Sequence, residues 1–159
     1  MEKRIEKAVE LFKEGYNCSQ SVVAAFADLY GFTTEQALKM SASFGGGIGR
    51  MRQTCGAACG LFMLAGLETG CTDGKSREGK EENYRIVQML AEEFKRRNGS
   101  TICAELLGLG KSAPTPPTPE ERTTEYFKKR PCVKMVEEAA RIWEEFRAGK
   151  KFPQEPKND

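Results

Sequence analysis

The stretch CGAACGLFMLAGL, residues 55–67, decides the fold class because it is apolar on every side. It contains no charged residue, so a helix formed from it has no polar face and belongs at the centre of a helical bundle. We therefore predict a central helix from Cys55 to about Leu67, with Thr54 as its N-cap residue.

Segments on both sides of this stretch repeat apolar residues at the three- and four-residue steps of amphipathic helices. The predicted helices run from the amino terminus to about Gly15, from Cys18 to Tyr30, from Thr33 or Thr34 to Phe44, from Glu81 to Arg97, from Ser100 or Thr101 to Leu107, and from Pro131 to about Phe146. No segment shows the sustained two-residue alternation of a strand. The predicted fold is all-α, a single-domain bundle of about six or seven helices around a central apolar helix.

The remaining segments are predicted to be connections or tail. Residues 70–80 are polar and glycine-rich, which indicates a surface loop. Residues 112–123, SAPTPPTPEERT, contain four prolines and are expected to form an extended connector, here called the proline-rich segment. A length of 159 residues suits one hydrophobic core. We predict a single helical cysteine-motif domain over residues 1–148 and a frayed, charged tail over residues 149–159.

Charge and hydropathy patterning limit the partners and the location. The net charge is only +2 and no long basic stripe occurs, so nucleic acid is not expected as a partner. The beginning of the chain, MEKRIEKAVELF, is charged from its second residue, unlike a signal peptide. No apolar stretch is long enough for a transmembrane segment. We predict a cytoplasmic protein that acts with an unidentified redox partner. The sequence does not determine the oligomeric state and is compatible with an oligomer.

Six cysteines and no histidine dominate the chemistry of the chain. In a reducing cytoplasm, abundant cysteines more often serve metal binding or redox chemistry than structural disulfides. Without histidine, Cys/His catalytic pairs and mixed Cys/His zinc sites are excluded. Ligation by sulfur alone suits iron–sulfur clusters, zinc or Cu(I).

Four of the cysteines lie at predicted helix starts: Cys18, Cys55, Cys103 and Cys132. The first turn of a helix presents unpaired N–H groups and the positive end of the helix dipole, which favour a thiolate and lower the pKa of the thiol. If the four helix starts converge, their sulfurs can hold an iron–sulfur cluster or another thiophilic metal. Our first hypothesis is therefore a redox protein in which these four cysteines bind the cofactor or metal, and we expect them to lie close together.

Other interpretations of the cysteines remain open at this point. Cys59 lies one helical turn after Cys55, so these two residues are candidates for cluster-free thiol/disulfide or sulfur-transfer catalysis. In that hypothesis Cys55 attacks, and Cys59, Cys103 or Cys132 resolves the intermediate. A third hypothesis is a structural zinc or interaction module, and cysteines can also simply pack as small apolar residues. Cys71, in the polar loop, is expected to lie outside any cluster.

The stretch FGGGIGR, residues 44–50, precedes the central helix. Its glycines allow backbone N–H groups to approach an anion closely. It lacks the lysine and the Ser/Thr of a phosphate-binding loop, and no strand precedes it. We interpret it as a tight connection that allows helices to approach each other.

These motifs together resemble the C_GCAxxG_C_C family of redox proteins. The residues that carry the resemblance are Cys18 in GYNCSQSV, Cys55, Gly56, Ala57 and Gly60 in CGAACG, FGGGIGR before it, and Cys103 and Cys132. The resemblance extends from about Gly15 to Trp143 and implies a redox-active or iron–sulfur-binding role. A similar domain occurs beside haem-binding segments in the split-Soret cytochromes. This chain has no C-x-x-C-H site, so the haem function is not implied.

Overall fold

The computed structural model describes residues 2–154, and the last five residues of the predicted tail lie outside that range. The α-helices are α1 (Glu2–Lys13), α2 (Cys18–Ala24), α3 (Thr34–Ser41), α4 (Gly56–Thr69), α5 (Arg77–Asn98), α6 (Cys103–Leu106), α7 (Thr124–Lys129) and α8 (Cys132–Arg147). Short 3-10 helices occupy Ala27–Tyr30 and Ala42–Phe44. Within residues 2–154 no strand forms, apart from one isolated antiparallel bridge. The prediction of an all-α fold is confirmed.

Several helix boundaries follow from capping by side chains. Asn17 caps α2 as predicted: its Oδ1 accepts from the Gln20 N–H at 2.9 Å, and the Gln20 Oε1 accepts from the Asn17 N–H at 3.1 Å. Helix α5 begins four residues earlier than predicted, because the Ser76 hydroxyl accepts from the Gly79 N–H at 3.0 Å. Such reciprocal or single side-chain caps satisfy N–H groups that have no partner within the helix.

Two expectations about the helices differ from the structure. Helix α7 was not predicted; it begins after Thr123, whose hydroxyl accepts from the Tyr126 N–H at 3.1 Å. The prediction that Thr54 caps α4 is wrong, because the N-cap residue is Cys55 and no side chain makes a cap hydrogen bond there. Thr54 instead forms the isolated bridge with Ile102.

Helix α4 lies at the centre of the bundle, as its apolar sequence predicts. It packs against α2, α5 and α8, and most of its side chains are buried. The surrounding helices contribute fully buried aromatic residues, among them Phe12, Phe94 and Trp143. No helix within the described part of the chain has both the length and the apolarity needed to cross a membrane.

The part of the predicted tail that the structure describes includes a packed residue. Phe152 is buried against the core, with the Arg97 guanidinium 5.8 Å from the centre of its ring. Removal of this aromatic side chain from water stabilises the contact, while residues 149–151 are exposed.

Two glycines of the CGAACG stretch allow α4 to approach α2 closely. A Cβ atom on Gly60 would lie 2.9 Å from the Val22 Cβ. A Cβ atom on Gly56 would lie 3.2 Å from the Cys18 Cβ and 2.8 Å from the Phe44 carbonyl oxygen. Contacts this short leave no room for any side chain. The two glycines therefore bring Cys18 next to the beginning of α4.

Candidate functional site

All four cysteines that the sequence places at helix starts line one cavity of about 610 Å³. Cys18, Cys103 and Cys132 are the first residues of α2, α6 and α8, and Cys55 is the N-cap residue of α4. Cys55 and Cys103 are buried, whereas Cys18 and Cys132 are partly exposed. The structure thus brings together four thiols from helices that are distant in sequence.

Backbone hydrogen bonds hold Cys55 beside Cys103. The Cys55 N–H donates to the Thr101 carbonyl at 2.7 Å, and the Cys103 N–H donates to the Gln53 carbonyl at 2.6 Å. These bonds flank the bridge between Thr54 and Ile102. The beginnings of α4 and α6 are therefore joined through the main chain, independently of their side chains.

A left-handed loop, residues 46–50, forms another part of the lining. All five of its residues have positive φ, including Ile48 at 66° and Arg50 at 60°. This conformation costs roughly 1–2 kcal/mol for each residue that is not glycine, so the surrounding contacts must stabilise it. A Cβ atom on Gly47 would lie 2.5 Å from the Cys103 Cβ. The loop is a tight connection, as interpreted from FGGGIGR, and its main chain packs directly against one of the cysteines.

The proline-rich segment forms the opposite wall of the cavity. Pro117 and Pro119 line it, and the Arg50 guanidinium donates to the carbonyls of Pro116 and Thr118. An ion pair between its Glu120 and Arg130 also fixes this segment. The sequence predicts only an extended connector for the proline-rich segment. Its prolines favour the extended shape, but its docking by arginines from two other parts of the chain has no local sequence signal.

Arg122 and Tyr126 are site residues that the sequence analysis missed. The Arg122 guanidinium lies 4.2 Å from the centre of the Phe12 ring and donates to the Phe12 carbonyl at 2.8 Å. Tyr126 lies next to Cys132, and burial raises the pKa of its hydroxyl to about 12. Tyr126 belongs to α7, the helix that was not predicted, so no pattern pointed to it.

The pKa of Cys55 does not follow the expectation from its position at a helix start. Burial raises the pKa of this thiol to about 12, although the backbone N–H groups of Ala58 and Ala57 act in the opposite direction. Withdrawal of the thiolate from water outweighs the helix terminus at this residue. This shift disfavours the thiolate form of Cys55, the form that a nucleophilic thiol needs.

Cys132 instead carries the lowered pKa among the cavity thiols. Hydrogen bonding from the Cys18 thiol lowers the pKa of Cys132 to about 7, assisted by the positive charge of Arg130. The same interaction, together with burial, raises the pKa of Cys18 well above its usual range. At Cys103 burial raises the pKa, while Arg52, with its Nη1 3.7 Å from the sulfur, opposes that shift. The opposite directions of the two shifts favour negative charge on Cys132 over Cys18.

The other two cysteines lie outside the cavity lining. Cys59 is buried within α4, with its Sγ 3.8 Å from the Thr54 carbonyl, and burial raises the pKa of this thiol to about 11. Cys71 is exposed in the polar loop, where that residue was expected. The structure thus separates Cys59 from the four cysteines that share the cavity.

Among residues 2–154, no three His, Cys, Asp or Glu side chains are arranged to hold one metal ion. The four cysteines share the cavity with four arginines and one glutamate, and with no further carboxylate.

Comparisons with known proteins agree with the motif. A family model described as "Putative redox-active protein (C_GCAxxG_C_C)" matches residues 16–146. An uncharacterized protein of Archaeoglobus fulgidus is 26% identical over 148 residues, covering 89% of this chain and 91% of the relative. No solved structure matches the chain. Since the family model spans most of the sequence, including all four cavity cysteines, the chain belongs to the C_GCAxxG_C_C family of redox-active proteins.

Proposed function

We propose that this protein is an electron-transfer or redox protein that holds an iron–sulfur cluster through Cys18, Cys55, Cys103 and Cys132. The observation that carries the proposal is that these four thiols line one cavity. Soft thiolate ligands without imidazole or carboxylate suit iron–sulfur centres better than hard cations.

The donor set and its surroundings fit such a cluster. The four cysteines of a cluster are divided among two or more irons, so the ligand sulfurs of a cluster spread farther apart than those around a single ion. A cluster with four thiolates carries negative charge, and Arg52 donates toward the sulfur of Cys103. The backbone N–H groups of Ala57 and Ala58 favour negative charge on the sulfur of Cys55. Hydrogen bonds to ligand sulfurs raise the reduction potential of a cluster.

When bound, the cluster would supply one-electron transfer. The residues of the chain would bind it, orient the four sulfurs and exclude water on the buried side formed by Cys55 and Cys103. The partly exposed Cys18 and Cys132 would face the side from which an electron partner approaches.

Anaerobic purification followed by iron and acid-labile sulfide analysis tests the proposal. We expect iron and sulfide in comparable amounts together with visible absorption that bleaches on reduction. Protein that contains neither iron nor acid-labile sulfide, even after reconstitution, would exclude the cluster. One equivalent of zinc and no redox activity would select the structural zinc alternative instead.

A second candidate function is cluster-free dithiol chemistry at Cys132 and Cys18. The observation that favours it is the hydrogen bonding between these two thiols, which lowers the pKa of one and raises that of the other. A nucleophilic thiolate beside a protonated thiol is the arrangement used in thiol–disulfide exchange. In this candidate function Cys132 replaces Cys55 as the proposed nucleophile, and Cys18 is the resolving thiol.

Alkylation of cluster-free protein at different pH values should distinguish the thiols. Because the pKa of Cys132 is lowered to about 7, its labelling should fall as the pH decreases through 7, while Cys55 should stay largely unlabelled up to pH 8. Peptide mass spectrometry after short exposure to iodoacetamide measures both sites in one sample.

Variants at the neighbouring thiols provide the controls. Cys18→Ala removes the hydrogen bond to Cys132, so labelling of Cys132 at pH 7 should decrease severalfold. Cys59→Ala, outside the cavity, should leave it unchanged. Labelling of Cys55 before Cys132 would contradict this assignment and restore Cys55 as the nucleophile.

A further inference from the structure

The cavity carries an excess of positive charge that its own residues do not neutralise. Its charged lining residues are Arg50, Arg52, Arg122, Arg130 and Glu120, which leaves a formal charge of +3. The whole chain has a net charge of only +2, so the excess is concentrated at this site. A cleft lined by charge of one sign attracts ligands of the opposite sign.

Arg52 has the weakest hydrogen-bond partner of these four arginines. Arg130 forms an ion pair with Glu120, Arg50 donates to two carbonyls of the proline-rich segment, and Arg122 donates to the carbonyls of Phe12 and Tyr16. Arg52 donates a hydrogen bond to the sulfur of Cys103 at 3.7 Å, and within residues 2–154 its guanidinium forms no ion pair. A guanidinium with a weak partner keeps most of its five donors for another ligand.

The size of the cavity leaves room for such a ligand. At about 610 Å³ it lies in the range of sites for small molecules. Phe12 and Leu106 contribute apolar surface, and Tyr126 places a hydroxyl on the lining. The ligand must therefore be small and anionic, and it would lie between the four thiols and the wall formed by the proline-rich segment.

We propose that the cavity binds a small tetrahedral oxyanion, such as sulfate or thiosulfate, beside the cysteines, with Arg52 as the principal binding residue. The inference rests on the proposed function in assigning redox chemistry to the same cavity. A guanidinium recognises the oxygens of a tetrahedral anion through paired N–H groups.

Calorimetric titration of the anaerobically purified protein with thiosulfate, and in parallel with sulfate, tests the inference. Both ions carry the same charge and nearly the same shape, so binding of both shows recognition of the oxyanion, and tighter binding of thiosulfate shows recognition of its terminal sulfur. Either result supports the site. We expect Arg52→Gln to weaken binding at least about tenfold, as befits the loss of a charge-assisted hydrogen bond.

Matched variants keep the test decisive. Arg85→Gln changes an exposed arginine that pairs with Glu82 on α5 and does not line the cavity, and it should leave the affinity within about twofold. Arg52→Lys keeps the charge and should retain part of the binding, which also covers the case in which Arg52→Gln fails to fold. Absence of saturable binding, or equal affinity of wild type and Arg52→Gln, would overturn the inference. Anion binding and metal content are measured separately, so either proposal can fail alone.

Discussion

The Cys103→Ala protein, purified anaerobically, should contain less than about a tenth of the iron and sulfide of the wild type. Cys103 is buried in the cavity and joined by backbone hydrogen bonds to the segment that carries Cys55. Loss of a residue that merely supports a metal ligand already costs 10- to 100-fold in affinity, and loss of the ligand itself should cost more. Colorimetric iron and sulfide assays on the purified variant measure the effect.

Cys59→Ala and Cys71→Ala are the matched controls, because they remove the same chemical group from positions outside the cavity lining. Both should retain near wild-type iron. Unfolding midpoints of all three variants would show whether any loss of iron comes from a loss of structure. Equal iron loss in Cys59→Ala would mean that Cys59 belongs to the binding site and that the four-cysteine assignment is incorrect.

Gly60→Val should lower the free energy of unfolding by about 3 kcal/mol, because α4 and α2 must separate to admit the new side chain. The Cβ atom alone would lie 2.9 Å from the Val22 Cβ and 3.1 Å from the Ser19 carbonyl oxygen, and neither atom can swing aside. Urea unfolding followed by circular dichroism measures the change.

Gly66→Val, six residues later in the same helix, provides the control. No heavy atom would lie within 4 Å of a Cβ there, and the position is exposed. Valine and glycine differ little in helix propensity, so the expected change is within about 0.5 kcal/mol. A similar loss of stability in both variants would attribute the effect to valine in a helix, rather than to the close approach of α4 and α2.

The fold was predictable where one pattern alone decides the structure. The apolar sequence of α4 indicates its central position, since no face of that helix can contact water favourably. Asn17 with Gln20 indicates the start of α2 through a local capping box. Helix α7 was missed because it has only six residues, follows four prolines and has no buried residue to produce a periodic pattern.

The candidate site was predictable in its residues and not in its electrostatics. Helix starts are local features, so the placement of Cys18 and Cys132 could be inferred from capping and proline signals. The pKa values depend on burial and on neighbours from other helices. Sequence therefore suggested an activated Cys55, whereas burial raises its pKa and Cys18 lowers that of Cys132. The wall formed by the proline-rich segment depends on long-range contacts that no local pattern encodes.

The left-handed loop fixes the number of residues between α3 and α4. The N–H groups of residues 48–53 each donate to a carbonyl three to six residues earlier, so one inserted residue would misalign every donor that follows it. The same insertion would rotate Thr54 away from Ile102 and carry Cys55 out of the cavity. The polar loop before α5, residues 70–75, lines no part of the cavity and can change length at little cost. Insertions and deletions among related sequences should therefore accumulate at residues 70–75 and be absent from residues 44–55.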